Sequence, residues 1–117
     1  MRIVITTIAL LLTATASAFA HAHLDHAVPK VGSTVGQAPK DVTLWFTEKL
    51  EQAFSSIDVR NEQGTAMNAG TATVAGDGTQ LRVPLKALPP GTYKVIWRVL
   101  SVDTHRTEGN FTFHVGQ

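Results

Sequence analysis

The sequence predicts an all-β fold, an antiparallel β-sandwich of about seven strands connected as a Greek key, and three observations carry that prediction. Apolar residues alternate with polar ones in short runs, the period of a strand with one buried face. Gly- and Pro-rich turn signals separate those runs at near-regular spacing. No run follows the strand, long helix, strand order of a parallel α/β unit.

In chain order, residues 1–20 read as a secretory signal peptide rather than as part of the fold. Arg2 is a minimal charged start, residues 3–12 are a largely apolar stretch, and Ala18-Phe19-Ala20 matches the small-x-small cleavage rule. Cleavage there leaves a domain of residues 21–117 that begins with His21. Within it, the turn Gly36-Gln37-Ala38-Pro39 precedes a strand in which Val42, Leu44 and Phe46 face one way and Thr43, Trp45 and Thr47 the other. Residues 48–54 fit a short helical turn or bulge. Ile57 and Val59 then alternate with Asp58 and Arg60, and Asn61-Glu62-Gln63-Gly64 ends that strand. After Gly76-Asp77-Gly78, Leu81, Val83 and Leu85 alternate with Arg82, Pro84 and Lys86, and the proline predicts a strand at a sheet edge. Leu88-Pro89-Pro90-Gly91 leads into the longest alternating run, Tyr93, Val95, Trp97 and Val99, and Phe111, Phe113 and Val115 form the last strand.

Composition narrows the function. The 97 residues left from 117 after cleavage suit one small domain. Loss of Arg2 leaves nine basic against nine acidic side chains, and the basic ones are scattered, so nucleic acid is not an expected partner. Cysteine is absent, which excludes disulfides and thiolate metal sites. Apart from the leader, no apolar run approaches the roughly 20 residues that cross a bilayer. The expectation is an exported, periplasmic monomer.

Two separated half-sites point to metal chemistry. A terminal His21 offers an α-amine and an imidazole on one residue, and Asp103-Thr104-His105 offers two more donors just past the longest strand. In extended backbone, residues two apart project to the same side, so Asp103 and His105 can reach one ion. Three nitrogens and one carboxylate oxygen suit square-planar or tetragonal Cu(II), which also heads the affinity series of divalent first-row metals. Zn(II) prefers a tetrahedron, and Cu(I) prefers sulfur, of which the mature chain has only Met67. His23 opens a competing mode, in which the amine, two deprotonated backbone amides and the His23 imidazole bind Cu(II) without any fold. His26 and His114 read as packing or surface residues, and Trp45 and Trp97 as packing residues.

With these residues in view, the chain resembles the CopC family of periplasmic copper-resistance proteins. The resemblance is carried by His21-Ala22-His23-Leu24, by Val42-Thr43-Leu44-Trp45-Phe46-Thr47-Glu48, by Leu88-Pro89-Pro90-Gly91-Thr92-Tyr93 with Trp97-Arg98-Val99, and by Ser101-Val102-Asp103-Thr104-His105. It implies an immunoglobulin-like sandwich, and Cu(II) ligation by His21, Asp103 and His105. Glu48 matches an acidic residue kept near that site, which implies an outer-shell role. Some members carry a methionine-rich loop for Cu(I); the corresponding residues 64–70 hold one methionine, so this chain resembles the members that bind Cu(II) alone. The family implies a non-enzymatic role, sequestering or delivering copper, and an inner-membrane copper transporter of the CopD type as partner. The alternative is a copper oxygenase of the lytic polysaccharide type, which also uses a terminal histidine and a second histidine on a β-sandwich. Such catalysis needs an open coordination position, which Asp103 as a fourth, anionic donor closes.

Overall fold

The structure is a computed structural model that describes residues 22–117; the leader expected over residues 1–20 and the candidate ligand His21 lie outside the described residues. Eight strands follow one another: β1 (Leu24–Val28), β2 (Thr34–Val35), β3 (Asp41–Phe46), β4 (Ser56–Arg60), β5 (Thr73–Ala75), β6 (Gln80–Pro84), β7 (Gly91–Leu100) and β8 (Arg106–Val115). They form two four-stranded sheets, ordered β1-β3-β6-β5 and β2-β8-β7-β4. Among the described residues, a single 3-10 turn, Gln52–Phe54, sits between β3 and β4, inside the segment expected to bulge or turn.

Alternation decides which faces meet. Val42, Leu44 and Phe46 of β3 and Leu81 and Val83 of β6 are buried from one sheet. Ile57 and Val59 of β4, Tyr93, Val95, Trp97 and Val99 of β7, and Phe111, Phe113 and Val115 of β8 are buried from the other. These are the positions the period of two assigns to the core, and burying each such side chain is worth about 1.5–3 kcal/mol. Phe46 meets Trp97 edge to face at 5.1 Å between the sheets, and Tyr93 stacks on Phe113 at 5.6 Å within one. Tyr93 also donates its hydroxyl to the Pro89 carbonyl, which ties the start of β7 to the proline turn before it.

Three details depart from the sequence expectation. There is one strand more than the seven expected, because the two-residue β2 pairs with the end of β8, and that pair is parallel. β6 is not an edge strand: it lies between β3 and β5. Pro84 is tolerated because β5 pairs only with Gln80, Leu81 and Arg82, so the proline lies beyond the last β5 partner. Finally, Asp103 and His105 lie just past β7, as expected, but not in extended backbone: β7 stops at Leu100 and the chain reverses at once into β8.

Candidate metal centre

β7 and β8 form a ten-residue antiparallel hairpin in continuous register, from Gly91 opposite Val115 to Leu100 opposite Arg106. Its turn holds the Asp103-Thr104-His105 triplet. The Ser101 amide donates to the His105 carbonyl at 3.0 Å, and the Thr104 amide donates to the Ser101 carbonyl at 2.9 Å. Closing so tight a reversal puts Thr104 at φ 72°, the left-handed region that non-glycine residues seldom occupy. Asp103 and His105 therefore come together through a turn and not through extended backbone, a correction to the sequence expectation. The result for the side chains is the same: Asp103 Oδ1 lies 3.3 Å from His105 Nδ1.

Ser101 organises this turn. It is fully buried, its hydroxyl donates to Asp103 Oδ1, and its Oγ accepts the His105 amide at 3.3 Å. The Ser101 hydrogen bond holds the Asp103 carboxyl below the usual carboxylate range, outweighing desolvation, with smaller contributions from the neighbouring His105. Asp103 stays partly exposed, while His105 is more enclosed.

Two more segments reach this rim. Ala22 is completely buried, and its carbonyl accepts a hydrogen bond from Thr107 Oγ1 at 2.7 Å, two residues beyond His105 on β8. The His23 amide donates to Thr47 Oγ1 at 3.0 Å, and the Thr47 amide returns a bond to the His23 carbonyl at 3.0 Å. The segment after β3 then continues past the hairpin turn. The Val102 amide donates to the Lys49 carbonyl at 3.0 Å, and Leu50 bridges Ser101. Residues 22–23, 47–50 and 101–107 are therefore mutually fastened, and half-buried Glu48 belongs to the middle one. Among the described residues, no cluster of three or more His, Asp or Glu side chains is arranged to hold a metal ion. Asp103 and His105 are two candidate donors brought together at this turn.

The remaining histidines are engaged in other ways. His26 stacks on Trp45 with ring centroids 4.4 Å apart and hydrogen-bonds Asp25 through Nδ1 at 2.6 Å. His114 Nδ1 lies 2.8 Å from Thr92 Oγ1, near the opposite end of the hairpin. Sequence reasoning missed Ser101, Thr47 and Thr107. A hydroxyl residue that fastens backbone leaves no periodic mark, and only the position of Ser101 two residues before Asp103 hints at a side-chain-capped turn.

Known proteins share this fold. Residues 24–116 match the family model described as the CopC domain. The chain is 43% identical over 105 residues to protein YobA of Escherichia coli strain K12, covering 86% of this chain and 83% of that one. It is 39% identical over 109 residues to copper resistance protein C of Xanthomonas campestris pv. juglandis, covering 87% and 85%. It is 30% identical over 103 residues to the copper transport protein CutJ of Bacillus subtilis, covering 86% of this chain but 19% of that longer one. Among solved structures, CopC from Methylosinus trichosporium OB3b superposes with a TM-score of 0.76 at 34% identity, over 81% of this chain and 93% of that one. A domain match across the whole sandwich and relatives this similar over most of their own length lead to one conclusion: the chain belongs to the CopC family, whose named members include copper resistance proteins.

Proposed function

We propose that the processed chain is a periplasmic Cu(II)-binding protein that sequesters copper or hands it on, with the ion as cargo and no reaction catalysed. Its ligands are the His21 amine and imidazole, the Asp103 carboxylate and the His105 imidazole, with Glu48 in an outer-shell role. The observation that carries this reading is the bond from Thr107 Oγ1 to the Ala22 carbonyl. It fastens Ala22, the residue after His21, to Thr107, two residues after His105, which supports a reading in which the two half-sites serve one ion. The donor chemistry fits: nitrogen donors with one anionic oxygen favour Cu(II) over softer or tetrahedral ions. With the α-amine among the ligands, binding releases protons and weakens on acidification. CutJ, a copper transport protein in which a segment like this chain makes up about a fifth, supports a membrane transporter of the CopD type as the partner that receives the ion.

The test compares residues 21–117 beginning at His21 with the same chain carrying one extra residue in front. The extra residue converts the amine to an amide, and Cu(II) affinity measured by competition should fall by roughly tenfold or more, at least about 1.4 kcal/mol. Equal affinities would remove the terminal amine from the site.

A further inference from the structure

We infer that Thr47 and Thr107 are the positioning residues that decide which of two copper-binding modes the N-terminal segment adopts. This inference rests on the proposed copper site and goes one step beyond it. The sequence His21-Ala22-His23 is by itself a competent Cu(II) chelator. The α-amine, the deprotonated amides of Ala22 and His23 and the His23 imidazole can surround the ion without help from the rest of the protein. The fold must suppress that mode if Asp103 and His105 are to be ligands.

The structure contains the means. An amide nitrogen becomes a copper ligand only after losing its proton, and the His23 N–H is already donated to Thr47 Oγ1 at 3.0 Å. The carbonyl on the same peptide unit, that of Ala22, accepts from Thr107 Oγ1 at 2.7 Å. One peptide plane is thus held at both ends by threonine hydroxyls, one just past β3 and the other on β8. The return bond from the Thr47 amide to the His23 carbonyl fixes the next peptide as well. Wrapping the segment around a metal would also require Ala22, which is completely buried, to leave the core. Each cost is modest alone, yet all are incurred together, because the amide mode needs both amides at once. Thr47 and Thr107 therefore act through the backbone and never touch the ion.

The experiment uses residues 21–117 loaded with equimolar Cu(II) and read by electron paramagnetic resonance and visible absorption. A synthetic peptide of residues 21–24 supplies the reference spectrum of the amide mode. The Thr47→Val/Thr107→Val double variant keeps side-chain shape and removes both hydroxyls, and its spectrum should shift from that of the unsubstituted chain to that of the peptide. In that background Asp103→Ala should then change nothing. The Thr47→Ser/Thr107→Ser variant restores the hydroxyls and should return the original spectrum, which a general loosening of the fold would not do. If circular dichroism shows the double valine variant unfolded, each single valine variant is read by the same criterion. A folded valine variant that retains the unsubstituted spectrum overturns the inference while leaving the copper site intact. An unsubstituted chain that already gives the peptide spectrum, and is indifferent to Asp103→Ala/His105→Ala, overturns the copper site itself.

Discussion

A buried hydroxyl has one proton to donate, and at Ser101 it goes to the Asp103 carboxylate. That bond both orients the carboxylate toward His105 and stabilises its charged form. Removing it with Ser101→Ala should raise the Asp103 pKa toward the ordinary carboxylate range, measurable by carboxyl-carbon NMR in the metal-free protein. The sign for stability follows from the depressed folded value. Asp103 contributes stability above its unfolded pKa, and that contribution is lost as the pH falls through the lower folded value. Ser101→Ala should therefore cost stability at neutral pH and flatten the acid limb of the stability profile. An unmoved Asp103 titration would show that His105 alone sets it. His23 illustrates the same scale from the other side: its amide is engaged by Thr47, so a residue that looked like a rival ligand is held by its backbone.

At the scale of elements, the β7–β8 hairpin is the part on which the site depends. Its two strands stay in register for ten pairs, so any distortion along it is transmitted to the turn. Gly109 lies opposite Trp97 in that register, and the indole covers it. A Cβ at Gly109 would come within 2.8 Å of Trp97 Cε2, where no relaxed contact exists. The neighbour is a large ring packed edge-on against Phe46, so it cannot simply swing away. Gly109→Ala should destabilise the protein by about 1–3 kcal/mol, the usual range for overpacking a core, read as a lower urea midpoint. A midpoint equal to that of the unsubstituted chain would mean the ring has room to move. Thr104 marks the other end of the same element, where a left-handed residue lets the strand reverse within five residues and sets Asp103 against His105.

For the whole molecule, the proposed site would join the N-terminal segment to the β7–β8 turn, and ligand binding to the folded form alone must stabilise it. At free Cu(II) one hundred times the dissociation constant, the gain is about 2.7 kcal/mol. Copper should raise the thermal midpoint of residues 21–117, chelation should reverse the rise, and Asp103→Ala/His105→Ala should abolish it. The rise should also shrink as the medium is acidified, because protons compete for the amine and imidazoles. A copper-induced shift that survives the double alanine substitution would place the ion elsewhere.

How much of this could be read without coordinates depends on whether the cause is local. The sandwich was legible because strand alternation is a property of neighbouring residues. Val42, Leu44 and Phe46, or Tyr93 to Val99, show their buried face in the order of the letters alone. The candidate donors were legible because Asp103 and His105 are close in sequence and because residue chemistry restricts the metal. Pro84 misled because whether a strand is at an edge depends on how far its partner extends, and β5 ends before reaching the proline. The proximity of Asp103 and His105 was expected for the wrong reason, since the turn is set by Ser101 and a left-handed Thr104 and not by strand geometry. The sequence by itself determined the β-sandwich and the CopC family. Only the tertiary structure decided that Ala22 is held 85 residues away by Thr107 and that Thr47 occupies the His23 amide, because such bonds join segments whose separation along the chain carries no trace of their contact.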